Sequence, residues 1–274
     1  MKKYLVISVF VLISIIAIIS NIVDNGLDGK TIAFLGDSLI QGHGNDSKSF
    51  EYYFSESLPN SKIINNSKSG CTITDNTGTD DIVLINQVKN LKGNPDVIVF
   101  NGGANDIIGY GLGFNDNSLK KEIGIVDENP NAISDQSTVI GDLEEAIVEL
   151  QNRFPEAKLC YLQMFLIDDE TIDVITLDGS VKPEMRERRD NLETQIQVLC
   201  KKRGVNYIDV SDKFAGKGTI YRQNDGIHLK EEGYQLISHY ILEKLEEIVW
   251  FWDGDKNHPF FIMKFFSKRD FFRR

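Results

Sequence analysis

The sequence predicts an α/β domain, a parallel sheet covered by helices on both faces. Three observations carry that reading. Five short, largely apolar runs stop abruptly, two of them, 31–35 and 96–103, at glycine, as buried parallel strands do. Segments with helical spacing separate successive runs, which is the alternation that produces βαβ crossovers. The 274 residues, 41% of them hydrophobic, are enough for one large domain with its own core.

The elements follow in order. After the polar linker "NGLDGK" (25–30), "TIAFL" (31–35) reads as a buried strand ended by Gly36. "SFEYYFSESL" (49–58) has helical spacing, "KIINNS" (62–67) is a short strand, and "TDDIVLINQVKNL" (79–91) is helical. "DVIVFNGG" (96–103) is a β-rich run stopped by two glycines. "DLEEAIVELQNRF" (142–154) is an amphipathic helix and "AKLCYLQMF" (157–165) a buried strand. A long helix (184–204) with a glycine stop leads to the last strand, "VNYIDV" (205–210), and a final helix covers 230–250. Two polar connections, 107–137 and 168–183, exceed ordinary βα loops and are expected to be lids, binding loops or disorder. The expected organisation is therefore an N-terminal segment 1–24, a linker 25–30, a catalytic-sized domain 31–250 and a tail 251–274.

Residues 4–23, "YLVISVFVLISIIAIISNIV", are uncharged and follow Lys2 and Lys3. Twenty helical residues span about 30 Å, the thickness of bilayer hydrocarbon. With no A-x-A cleavage pattern at its end, the segment reads as an uncleaved signal-anchor, the alternative being a cleaved signal peptide. Either reading leaves the rest of the chain outside the cytoplasm. The tail holds seven of the chain's 16 phenylalanines, and residues 249–274 carry six Lys/Arg against three Asp/Glu. That composition suits a membrane interface, and equally an extra packed or frayed end.

Thirty Lys+Arg against 41 Asp+Glu give a net charge of −11, the wrong sign for a protein that tracks phosphate backbones, so no nucleic-acid partner is expected. Cys71, Cys160 and Cys200 match neither a zinc site nor a disulfide scaffold. Three buried thiols are expected, ahead of a Cys160–Cys200 bridge.

Ser38, in "IAFLGDSLIQGHG" (32–44), directly follows the first strand and so projects at the carboxyl end of the sheet. A serine hydroxyl becomes a nucleophile only when a base takes its proton. Of the four histidines, His228 arrives with an acid three residues earlier, Asp225 in "QNDGIHL" (223–229). His43 reads as a loop residue near Ser38, His239 as a helix-face residue, and His258 as part of the tail. An ester's tetrahedral intermediate also needs donors aimed at its oxyanion. The backbone N–H groups of Ser38 and Gly70 and the side-chain amide of Asn105 follow three different strands and are candidates. Taken singly, Gly70 is a turn glycine and Asn105 a turn former. Asp37 and Asp106 read as local braces.

"GDSL" (36–39), Gly70, "GAND" (103–106) and "DGIH" (225–228) together resemble the four signature blocks of the GDSL or SGNH hydrolase superfamily, in order, over roughly residues 30–248. The resemblance implies a three-layer α/β/α fold with a flavodoxin-like five-stranded parallel sheet. It implies Ser38 as nucleophile, His228 as base, Asp225 as its orienting acid, and Gly70 and Asn105 beside Ser38 in the oxyanion hole. It further implies hydrolysis of ester or thioester bonds without metal or cofactor. The substrate expected is a small-molecule, lipid or carbohydrate ester. The alternatives are an O-acyltransferase or deacetylase of cell-surface polysaccharide and a non-catalytic binding module, and the complete set of signature residues argues against the module.

Overall fold

The computed structural model describes residues 26–46, 48–74, 82–111, 121–163, 169–175, 179, 181–214 and 218–252. The apolar segment 4–23 and the tail from 253 onward lie outside them. Gly29–Lys244 forms one compact unit, and the described residues beyond it, 26–28 and 245–252, belong to a second. Among the described residues no helix is long and apolar enough to cross a membrane.

Five strands alternate with helices, as the apolar runs require: β1 (Thr31–Leu35), β2 (Lys62–Asn65), β3 (Val97–Phe100), β4 (Lys158–Leu162) and β5 (Asn206–Ile208). All neighbours pair in parallel, in the order β2-β1-β3-β4-β5. The register sets Ala33 of β1 beside Ile64 of β2 and Ile98 of β3. This flavodoxin-like order reverses direction between β1 and β3, and such a switch point opens a crevice at the carboxyl ends of those strands.

The described helices are α1 (Ser38–Gln41), α2 (Phe50–Ser57), α3 (Leu84–Asn90), α4 (Ala104–Gly111), α5 (Val139–Arg153), α6 (Asp169–Ile175), α7 (Lys182–Arg203), α8 (Ser211–Phe214), α9 (Gly218–Tyr221) and α10 (Glu231–Trp252). Alternate side chains of β1 divide the core. Phe34 meets Phe54 edge-on with ring centroids 4.9 Å apart, and Phe50 in turn packs on Tyr234 at 5.3 Å, so α2 and α10 cover one face. Ala33 and Leu35 point the other way, into a cluster with Leu84, Ile107, Leu143 and Leu192 from α3, α4, α5 and α7. The result is three layers, α/β/α, as expected. All three cysteines are buried free thiols. Burial pushes those of Cys160 and Cys200 up to about 12, which keeps them protonated and unreactive.

Several boundaries differ from expectation. The helix expected over 79–91 begins at Leu84, because Val83 forms a parallel bridge with Thr72. The helix expected from 142 begins at Val139, since Thr138 caps it by accepting the Gly141 N–H. The long connection 107–137 is not one loop. Its start belongs to α4, and residues 121–138 form a strap packed on α5 and α7, with Ile123, Val126 and Ser134 buried.

Charge holds that strap. Glu144 on α5 is fully buried and pairs with Lys202 and Arg203 of α7, each at 2.7 Å, while its other oxygen accepts the Ser134 N–H at 2.7 Å. Lys202 Nζ and Arg203 Nη2 also donate to the Ala132 carbonyl, each at 2.9 Å. The second connection, 168–183, contains α6, clasped to α7 by Arg186 and Arg189 against Asp169 and Asp173.

Candidate active site

The Ser38 segment is built from a strand end and a capped turn. Gly36 follows β1 with φ +138°, and a β-carbon there would collide with the Asn101 amide oxygen. Asp37 then caps α1, its carboxylate accepting the Leu39 N–H at 2.9 Å. Burial pushes the Asp37 carboxyl up, against the hydrogen bond from the Leu39 N–H that pulls it down. It braces the turn as expected, and its second oxygen has no partner among the described residues. Ser38 is the first residue of α1 and only 7% exposed. Its backbone N–H, in the first turn, has no partner within the helix.

His228 stands on a tight loop closed by the antiparallel bridge between Arg222 and Leu229 and by the Gln223 N–H to the His228 carbonyl, 2.8 Å. The loop turns on Asp225, whose Oδ1 accepts the N–H groups of Ile227 and His228 at 2.9 and 3.0 Å. Asp225 Oδ2 lies 2.7 Å from His228 Nδ1, and His228 Nε2 lies 3.0 Å from Ser38 Oγ. Burial alone would raise the Asp225 carboxyl, but its bonds to His228 and to the Ile227 and His228 N–H groups outweigh it and hold it below the usual range. An ionised Asp225 only accepts, so Nδ1 carries the proton and Nε2 is left as the acceptor facing the serine hydroxyl.

Gly70 occupies the third position of the turn Lys68–Cys71, closed by the Cys71 N–H to the Lys68 carbonyl at 3.1 Å. Its φ of +81° marks a type II turn, and the space where a β-carbon would sit is open. Backbone conformation therefore favours glycine here, in keeping with a turn glycine. Asn105 lies in the first turn of α4, inside a helix rather than in a turn. Its Nδ2 donates one hydrogen to the Cys71 carbonyl at 2.9 Å and keeps a second N–H. The neighbouring Asp106 braces the same chain, accepting from the N–H groups of Ile73 and Thr74 and from the Thr74 hydroxyl.

Sequence reasoning passed over five polar residues here. Gln87 of α3 accepts the Gly36 N–H at 2.8 Å and donates to its carbonyl at 2.9 Å. Gln41 accepts the Ser69 N–H at 2.7 Å. Gln223 Nε2 donates to both Gly44 O and Leu229 O, joining the serine and histidine loops. The buried Thr171 of α6 donates to the Gly226 carbonyl at 2.9 Å and accepts from Arg222 at 2.8 Å. A lone glutamine, threonine or arginine in the sequence announces none of these bonds. Among the described residues no group of three or more His, Cys, Asp or Glu is placed to hold a metal ion.

The GDSL-like lipase/acylhydrolase family matches the chain over residues 34–236, about three quarters of its length. The chain belongs to this family. As a GDSL-like lipase/acylhydrolase it is a hydrolase of ester bonds. Its fold recurs in a Lactobacillus plantarum protein at a TM-score of 0.60 and 18% identity, covering 80% of this chain and 98% of that one. A member of the lipolytic protein G-D-S-L family from Veillonella parvula superposes at 0.52 and 17% identity, covering 78% and 96%. Among curated proteins, none matches the sequence.

Proposed function

We propose that this GDSL-like hydrolase is an extracytoplasmic, membrane-tethered serine esterase working through an acyl-enzyme on Ser38. The observation that carries the reading is the continuous line Asp225 Oδ2, His228 Nδ1, His228 Nε2, Ser38 Oγ, with separations of 2.7 and 3.0 Å. Ser38 Oγ attacks the acyl carbonyl while Nε2 takes its proton, and Asp225 stabilises the imidazolium formed. The backbone N–H groups of Ser38 and Gly70 and the free N–H of Asn105 meet the oxyanion. Collapse breaks the C–O bond to the alcohol, which leaves with the proton from Nε2. Water then attacks the acyl-serine, Nε2 taking one of its protons and returning it to Ser38 as the carboxylic acid departs. The location rests on the apolar segment 4–23 behind Lys2 and Lys3.

The full-length chain is expected to release p-nitrophenol from short-chain esters and to be labelled by a fluorophosphonate, and Ser38→Ala to lose both. Labelling that survives that substitution would remove Ser38 from the reaction. A panel of acyl lengths, acetylated sugars and lysophospholipids, run with and without a sugar acceptor, separates lipase, deacetylase and acyltransferase. Protection of the active site from an impermeant fluorophosphonate in intact cells would overturn the location.

A further inference from the structure

We infer that Gln41 is a positioning residue for the oxyanion donor, setting the distance between the nucleophile and the Gly70 N–H. This rests on the reading of Ser38 as nucleophile and Gly70 as donor. Gln41 lies three residues after Ser38 on α1, so both side chains share one face of that helix. Its Oε1 reaches across to the Ser69 N–H at 2.7 Å, the residue immediately before Gly70. The Lys68–Cys71 turn is exposed at Lys68, Ser69 and Gly70, and it needs holding. At one corner the Lys68 N–H donates to Gly36 O at 2.9 Å, and at the other the Cys71 carbonyl accepts from Asn105. Gln41 ties the middle of the turn to the helix that carries Ser38.

Glycine at position 70 makes that tie matter. The residue reaches φ +81° at no steric cost, but glycine reaches negative φ as readily, and either change redirects the Gly70 N–H. A hydrogen bond on an exposed turn adds little to stability. Its effect falls on alignment, and alignment of an oxyanion donor is felt only in the transition state.

The test compares wild type, Gln41→Met, Gln41→Glu and Ser38→Ala in the full-length chain, with a p-nitrophenyl ester and the matching thionoester at high salt. Methionine keeps the length but has no oxygen acceptor, whereas glutamate keeps an acceptor at the same reach, its charge screened by salt. Gln41→Met is expected to lower kcat roughly tenfold with KM nearly unchanged, less than the loss on removing a donor outright. Gln41→Glu is expected to restore most of it. Sulfur is a poor acceptor, so thionoester turnover draws little on the donors and should change little. Unchanged kcat in Gln41→Met, equal losses on the two substrates, or no rescue by glutamate would each overturn the proposal while Ser38→Ala stays inactive. An active Ser38→Ala would instead overturn the nucleophile on which it rests.

Discussion

The imidazole of His43 packs against that of His228, ring centroids 4.5 Å apart and tilted by 43°. His43 is exposed, and it reaches this position because α1 ends at Gly42, with the His43 N–H returning to the Ser38 carbonyl at 3.0 Å. The base of the proposed reaction thus has a second ring on its flank, and a permanent cation there would oppose imidazolium formation. His43→Lys should lower kcat/KM roughly tenfold at low salt and recover in part at high salt. His43→Phe, which keeps the packing without charge, should stay within about threefold. Ester hydrolysis across a salt series checks both.

Asp225 holds His228 through its ring nitrogen and through the loop backbone. Asp225→Asn keeps an acceptor oxygen for the Ile227 and His228 N–H groups, so the loop should fold. Its amide can present N–H to Nδ1 and force the wrong tautomer on the imidazole. A loss of roughly 10³-fold or more in kcat is expected, with the circular dichroism spectrum and Tm little changed.

Glu144 neutralises two cations whose side chains are only 5% and 14% exposed, Lys202 and Arg203. Glu144→Ala leaves both uncompensated and should cost about 3 kcal/mol or more, measured by urea unfolding. Burial would raise this carboxyl, but hydrogen bonds from Lys202, Ser134 and Arg203 prevail and hold it below its ordinary value of 4.5. The folded state therefore binds fewer protons than the unfolded chain near that value. The stabilisation is present above pH 4.5 and is lost as pH falls through the folded pKa, and Glu144→Gln should flatten that acid loss.

Glu193 of α7 behaves in the opposite sense. Burial, together with the negative charge of Asp209, pushes its carboxyl up to about 7, and one of its oxygens is buried without a partner among the described residues. Between pH 4.5 and 7 the folded state holds a proton that the unfolded chain gives up. Stability should fall across that window as pH rises and then level off. Glu193→Gln should remove the slope and gain on the order of 2 kcal/mol at pH 8 relative to wild type, with little difference at pH 4.5. Parallel Tm curves for the two proteins at all pH values would contradict it.

The parts of the molecule that repeat a local pattern were legible in the chain. β1 and β3 are near-continuous apolar runs because both faces of a parallel strand are buried, and Ser38, Gly70 and Asn105 each follow a strand within five residues, whereas Asp225 and His228 come after β5, α8 and α9, just ahead of α10. Contacts between distant segments were not legible. Gln87 and Gly36 are 51 residues apart, Gln223 and Gly44 are 179 apart, and nothing in either neighbourhood marks a glutamine as a partner. α4 was not expected, for a local reason: "GGAND" is rich in turn formers, yet burial of Ala104 and Ile107 in the core draws the chain into a helix at once. Loop 121–138 was misread because its anchors, Glu144, Lys202 and Arg203, look like ordinary surface charges on amphipathic helices.

The clamp of Gln87 on Gly36 bears on the order in which the chain acquires its chemistry. In the ladder between β1 and β2 the Asn66 N–H donates to the Phe34 carbonyl, and the next bond would run from the Gly36 N–H to Asn66. The Gln87 amide takes that bond instead and receives the Asn66 side chain on its own main-chain carbonyl. One side chain thus substitutes for a missing rung, and it arrives from a helix that lies beyond β2 in the chain. During synthesis, Ser38 emerges long before the residue that seats its strand end, and His228 emerges 190 positions after the serine it faces. On the proposed mechanism, a nascent chain, or one truncated before α3, carries the serine as an ordinary hydroxyl, so reactivity at Ser38 would report completed folding rather than mere presence of the motif.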